Sequence, residues 1–354
     1  MGDVSAIDTY TATALQVDCT AVNPCADRAE ATKQMLGVIR VISGNIAAAS
    51  GFTKGFNGTD TRLIVLPEYF LSGFPMGEPI ARWQELAALE INGPVYEALS
   101  KVAQDRKCYL SGNAYEIDPN FPDLYFQCSF LIDPSGEVLL RYRRLISLYS
   151  PTPFDVWEQY LDIFGLDGVF PVADTDIGSI GCLASEEILY PELARCLAMR
   201  GMEILCHSTS EVGSPGLTPK EIARRARAIE NLCYVVSANT ARILNSPIPK
   251  ESTGGMSKVV DFKGQVLGEA YPGESFCSSA LIEVDSLRKY RRLSGMNNLF
   301  SRQPLEIYAA MYTGKTISPP NTFIQRGRVD VPDRSHFERR QREVITKLSE
   351  SGII

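Results

Sequence analysis

The chain has 354 residues, 45% of them hydrophobic and 22% charged, with a formal net charge of −7 and a pI of about 5.2. These are ordinary globular values, which exclude wholesale disorder and allow a large core without disulfide staples. The acidic balance argues against a nucleic-acid or anionic-membrane partner, and the scattered glycines and prolines exclude collagen-like or low-complexity classes.

The nine cysteines lie far apart with no CxxC pair, and the only histidines are His207 and His336, so no zinc site is expected. Several cysteines stand inside apolar runs, where buried free thiols are the plain reading. The start, MGDVSAIDTYTA, has neither a basic n-region nor an apolar h-region, and no run of eighteen apolar residues exists. The expectation is a cytoplasmic protein without a signal peptide or membrane segment.

Short apolar runs alternate with amphipathic stretches. Thr13–Val17 reads as a strand, Asp27 to Ala49 as a helix, and Leu63–Leu66 as a buried strand cut off by Pro67. A second helix from Gly93 to Arg106 precedes strand Cys108–Ser111. A hairpin follows, Phe126–Ile132 and Glu137–Tyr142, around the turn Asp133-Pro134-Ser135-Gly136. Ile177–Leu183 is a strand. Pro191 opens a helix that runs to Met199, with Gly201 where its C-terminal cap belongs. Strand Glu203–Cys206 leads to a helix with Thr218, Pro219 and Glu221 in capping-box order. Strand Tyr234–Ser237, the hairpin Lys258–Phe262 and Val266–Ala270, and strand Ala280–Val284 complete the unit. From Asp285 the chain turns basic and loses its strand rhythm, which predicts a wrapping extension.

Three features sit at predicted strand ends, where α/β sheets place their ligands. Glu68 follows a buried strand and a proline, a poor place for a solvated role; once desolvated, a carboxylate there suits a general base. Arg141-Tyr142-Arg143-Arg144 closes the first hairpin. Gly181-Cys182-Leu183-Ala184-Ser185-Glu186-Glu187 runs from strand into turn before Tyr190-Pro191-Glu192 opens a helix. A nucleophile in such a turn is exposed and close to free backbone N–H groups, which suits an oxyanion. Each feature alone has a bland reading: a salt-bridged loop Glu, solvated arginines, a turn-forming Ser.

Taken in order, LPEYF, RYRR, IGCLASEEILYPELA, RARAIENLCYVVSAN and GMSKVVDFKGQVLGEA resemble the nitrilase (carbon–nitrogen hydrolase) superfamily from Thr11 to Val284. The resemblance implies an α/β fold, a four-layer α-β-β-α sandwich over residues 11–284, followed by a C-terminal extension over 285–354. It implies Glu68 as general base, Arg144 at the position of the family's lysine, and Ser185 at that of its nucleophilic cysteine. Glu158, with Asp155 as rival, is the expected second glutamate. Arg144 and the backbone N–H of Glu186 would hold an oxyanion. Tyr69, Asn113, Tyr115, Trp157 and His207 are the expected substrate-pocket residues.

Two departures matter. A serine hydroxyl needs stronger activation than a thiol, and an arginine offers a fixed charge but does not readily shuttle a proton. The retained pattern around Ser185 favours a deliberate Cys→Ser trapping substitution, leaving the chain inactivated at Ser185; Cys182, inside the strand, is the lesser candidate for a displaced nucleophile. No lysine lies between Lys107 and Lys220, so no nearby residue is expected to replace the missing one. The expected chemistry is hydrolysis of a small-molecule amide through a cysteine thioester, without metal or cofactor. A nitrilase, an N-carbamoyl hydrolase and a catalytically dead binding protein are the alternatives. The apolar content of Leu287 to Tyr312, with the resemblance, predicts a homodimer or higher homo-oligomer built on Glu192–Met199 and the tail.

Overall fold

The computed structural model describes residues 6–313 and 317–354, and two sheets organise them. The first contains β1 (Tyr10–Ala14), β3 (Thr61–Val65), β4 (Leu89–Glu90), β5 (Tyr109–Ile117), β6 (Tyr125–Ile132), β7 (Val138–Arg143) and β15 (Ser279–Ile282). Its order is β15-β1-β3-β5-β6-β7, with β4 beside β5. The second contains β8 (Val172–Thr175), β9 (Gly178–Ala184), β10 (Ile204–Thr209), β11 (Tyr234–Asn239), β13 (Lys258–Val260) and β14 (Val266–Glu269), in the order β14-β13-β11-β10-β9-β8. Two short pairs, β2 (Cys19–Thr20) with β12 (Ile243–Leu244) and β16 (Ile324–Gln325) with β17 (Arg328–Val329), lie outside them. The helices are α1 (Arg28–Asn57), α2 (Ile80–Ala87), α3 (Pro94–Arg106), α4 (Trp157–Val169), α5 (Pro191–Met199), α6 (Pro219–Asn231), α7 (Val284–Arg292), α8 (Leu299–Arg302), α9 (Glu306–Tyr312) and α10 (Ser335–Glu350).

Side-chain alternation sorts the layers. In β3, Leu63 and Val65 enter a core shared with Leu205 and Val236 of the second sheet, whereas Ile64 joins the core beneath α1 and α3. On the far side, Leu193 and Leu197 of α5 and Ala228 of α6 cover the second sheet. This is the expected α-β-β-α sandwich. Helix α1 is apolar and long enough to cross a bilayer by length and composition. Its stripe of Met35, Ile39, Ile42 and Ile46 is buried in the first core instead. The expected start of this helix holds, with Asp27 accepting from the Glu30 N–H at 2.9 Å, but it runs on to Asn57 and closes at Gly58, φ +74°.

Strands β1, β3 and β5 are mutually parallel, as are β9, β10 and β11. The turns after β3, β9 and β10 therefore open at strand C-terminal ends. Cross-sheet bonds lock these ends together: the Ser208 hydroxyl donates to the Leu66 carbonyl at 2.7 Å, and the Glu68 N–H to the Thr209 carbonyl at 3.3 Å.

The expected boundary at Asp285 falls inside α7. That helix buries Val284 and Leu287, pairs Arg288 with Glu203 at 2.6 Å, and sends Arg291 Nε to the Leu232 carbonyl at 2.8 Å. It is part of the sandwich. Further on, Tyr312 donates to Glu192 at 2.7 Å, Phe323 and Phe337 enter the first core, and Arg334 reaches the Tyr149 carbonyl. The extension thus wraps its own chain. All nine cysteines are free.

Candidate active site

Glu68, three residues beyond β3, is fully buried. One carboxylate oxygen accepts from the Ser210 N–H at 3.0 Å, the other from Gln127 Nε2 at 2.7 Å and Arg144 at 3.5 Å. A buried carboxylate is retained only with such partners. The next residue, Tyr69, has φ +59°, a left-handed turn that swings its ring onto Tyr115 with centroids 5.8 Å apart. Burial first, then the neighbouring Glu68, push the Tyr69 hydroxyl well above the usual tyrosine range, so it stays a neutral donor.

Arg144 follows β7 and is also buried. Its Nε donates to the Ile146 carbonyl at 2.7 Å, one terminal nitrogen to Gln127 Oε1 at 2.7 Å and to Glu68, and the other to Glu186. All but one of its N–H donors are thus committed among the described residues. Burial works against its charge, but its acidic neighbours, Glu68 and Glu186 among them, outweigh it and raise its pKa above the ordinary arginine value. Gln127, which the sequence reading missed, bridges Glu68 and Arg144.

Ser185 directly follows β9, with φ +53°. Holding a non-glycine residue there costs on the order of 1 kcal/mol or more, and the surroundings over-determine it. His207 Nε2 lies 2.8 Å from the Ser185 carbonyl. Arg227 of the RARAIEN segment donates to the Ile188 carbonyl at 2.9 Å. Glu187 accepts from the Leu145 N–H at 2.8 Å, the Ile146 N–H at 3.2 Å and the Tyr142 hydroxyl at 2.9 Å, which ties the serine turn to the stretch after Arg144. Burial pushes the Glu187 carboxyl up to about 7 against the pull of Arg144 and these donors.

Lys220, in the first turn of α6, brings its Nζ 3.3 Å from Ser185 Oγ and 3.2 Å from Thr209 Oγ1. This corrects the expectation that no lysine stands near the site. The amine is distant along the chain from both Arg144 and Ser185, and only the α6 cap places it.

The remaining predicted residues divide. Asn113 lies beneath the surface, its Oδ1 accepting from Gln127 at 2.9 Å and its Nδ2 donating to Ser129 at 3.0 Å, so it buttresses the site and does not line a pocket. Tyr115 is buried against Tyr69, Trp83 and Tyr125. His207, expected in the substrate pocket, is fully buried behind the serine turn. Glu158 is exposed at the start of α4 and has no described contact with Glu68, Arg144 or Ser185. Its rival Asp155 caps Thr152 at 2.8 Å and accepts from Thr322 at 2.6 Å, a structural task. Trp157 leans on Phe154, centroids 5.6 Å apart, and on the first core. Cys182 is buried mid-strand, 3.7 Å from Ser111 Oγ.

A family model for carbon-nitrogen hydrolases matches residues 29–292. The chain belongs to the carbon-nitrogen hydrolase family. A Schizosaccharomyces pombe hydrolase is 30% identical over 217 residues, 60% of this chain and 62% of that protein. The chain thus spans under two thirds of that relative, and 58% of a Caenorhabditis elegans nitrilase and fragile histidine triad fusion protein. Human omega-amidase NIT2 is 26% identical over 274 residues, 77% of this chain and 94% of the relative. Among solved structures, Saccharomyces cerevisiae Nit3 of the nitrilase superfamily superposes with a TM-score of 0.57 at 21% identity, covering 82% of this chain and 99% of that one. A variant amidase from Nesterenkonia sp. AN1, with the acetamide moiety of fluoroacetamide added covalently to its active-site cysteine, superposes with a TM-score of 0.59 at 18% identity, covering 88% and 99%. These likenesses establish the fold of this carbon-nitrogen hydrolase family member.

Proposed function

We propose that this family member hydrolyses the amide bond of a small molecule through an acyl intermediate on residue 185. The observation that carries the reading is that buried Arg144 bonds both Glu68 and Glu186, the neighbour of Ser185, with Ser185 held at φ +53° as the chain leaves β9. The amidase names of its relatives support the substrate class, and the acetamide adduct on the active-site cysteine of the Nesterenkonia enzyme supports a nucleophilic side chain in this fold. Residue 185 attacks the carbonyl, and the oxyanion is met by the free N–H of Arg144 and the backbone N–H of Glu186. Expulsion of ammonia or an amine leaves the acyl group on residue 185. Glu68 then takes a proton from water as it attacks, and passes it to the departing side chain. With cysteine at 185 the intermediate is a thioester, and Glu68 takes the thiol proton and gives it to the departing nitrogen before the water step. With serine it is an ester.

Nitriles and carbamoyl compounds would use the same residues. A ligand-binding protein without turnover is the alternative that the Ser185 and Arg144 departures keep open. Ammonia release from panels of amides, nitriles and carbamoyl compounds separates them, measured on the chain as it stands and on Ser185→Cys. Release from amides is the expected result; silence of both proteins toward every panel contradicts enzymatic turnover. We also propose a homodimer across α5 and the tail, where Met199, Ile307 and Met311 are exposed.

A further inference from the structure

We infer that Lys220 is the general base for Ser185, so that serine is the working nucleophile of this chain and not an inactivating replacement. The inference rests on the amide-hydrolase reading and deepens it. Among the described residues, Lys220 is the side chain hydrogen-bonded to Ser185 Oγ, at 3.3 Å. Neither Glu68 nor Arg144 makes that bond, and Arg144 is held by Gln127, Glu68, Glu186 and the Ile146 carbonyl. An arginine does not give up its proton, whereas a desolvated lysine amine does.

The surroundings of Lys220 suit a neutral amine. Its lone pair can accept the Ser185 hydroxyl proton while an N–H donates to Thr209 Oγ1, 3.2 Å away. It sits in the first turn of α6, behind the Thr218 cap, where the helix dipole disfavours a cation. Burial lowers its pKa below the ordinary lysine value and Arg224 adds to that, outweighing the opposing carboxylates of Glu68, Glu211 and Glu186. The buried His207 imidazole, itself well below its usual pKa through burial, adds no charge behind the serine turn.

This pairing answers the weakness of a serine at this position. A thiol ionises readily and can manage with a carboxylate; a hydroxyl needs a stronger base within reach. In the proposed step, Ser185 Oγ bonds to the carbonyl carbon as its proton passes to Lys220 Nζ. The carbon–nitrogen bond then breaks, and the Lys220 ammonium returns that proton to the departing nitrogen. No co-reactant is required.

The test uses a small alkyl fluorophosphonate on the full-length protein, with the adduct located by peptide mass spectrometry. In this probe reaction an Oγ–P bond forms, the P–F bond breaks, fluoride leaves, and the hydroxyl proton goes to Lys220. The expected result is labelling at Ser185 whose rate climbs with pH along a one-proton limb. Lys220→Arg and Lys220→Ala should slow it at least about 100-fold, the lower range for a general base, and methylamine should restore Lys220→Ala. Circular dichroism confirms that both variants fold, and the amine rescue separates proton transfer from a merely structural role. Labelling of Lys220→Arg at the wild-type rate overturns the inference. So does an unlabelled wild type beside a Ser185→Cys enzyme that releases ammonia from amides, an outcome that leaves the amidase reading intact. A Ser185→Cys protein inert toward all panels overturns the amidase reading itself.

Discussion

His207 holds Ser185 from behind: its Nε2 lies 2.8 Å from the Ser185 carbonyl and its Nδ1 lies 2.8 Å from Ser237 Oγ. A carbonyl only accepts, so Nε2 carries the proton and Nδ1 receives the Ser237 hydroxyl. Burial, with Arg224 nearby, keeps His207 well below its ordinary pKa of 6.5. As pH falls below 6.5 the unfolded chain gains a proton that the folded chain refuses, so stability drops. His207→Asn should flatten that acid limb, as read by urea unfolding at about pH 7.5 and pH 5.5. An unchanged slope would contradict the assignment.

Glu187 works with the opposite sign. Its folded pKa of about 7 stands above the ordinary 4.5, so between these values the folded chain binds the proton and the unfolded chain does not. Its contribution to stability therefore declines as pH rises from 4.5 to about 7, by on the order of 3 kcal/mol. Glu187→Gln should remove this alkaline-going decline. Because Glu187 and His207 oppose each other in the shared window, each slope is fully visible only in the variant that removes the other group, and each assignment is read from the change in slope.

Arg144 is asked for charge as well as donors. Arg144→Ala should abolish ammonia release, since it strips bonds from Gln127, Glu186 and the Ile146 carbonyl at once. Arg144→Lys keeps the charge and should retain measurable activity. Full activity in Arg144→Ala would show that the oxyanion is met elsewhere.

Glu68→Gln, placed in a Ser185→Cys background so that the nucleophile does not depend on Lys220, should cost about two to four orders of magnitude in kcat. Near-normal turnover would remove Glu68 from the mechanism.

The sandwich and the positions of Glu68, Arg144 and Ser185 were legible because each follows a strand whose apolar run, proline or capping signal is local. The helix after Pro191 and the turn at Asp133 were readable for the same reason, and Gly136 indeed sits at φ +90°. What the sequence could not reveal is contact between distant segments. Lys220 enters through the cap of α6, and Gln127 is one polar residue of an otherwise ordinary strand. Glu187 stands beside Ser185 in the quoted motif, yet its task depends on the loop after Arg144. Glu158 failed for a related reason: its segment has no strand signal to fix a direction, and α4 turns it to solvent. The Asp285 boundary was set by a change in composition, which α7 crosses to complete the core.

The proposed homodimer is open to light scattering. Met199→Glu together with Met311→Glu should convert dimer to monomer at micromolar concentration. A wild-type monomer would reject the dimer, and a variant that stays dimeric would reject this face.

The most direct test of the central claim is intact-mass and peptide mass spectrometry after mixing the protein, and Ser185→Cys, with a panel of small amides and quenching in acid. The account predicts an acyl mass increment on the peptide bearing residue 185, absent in Ser185→Ala, together with released ammonia. Ammonia release without any adduct at residue 185, or with an adduct that persists in Ser185→Ala, would contradict it.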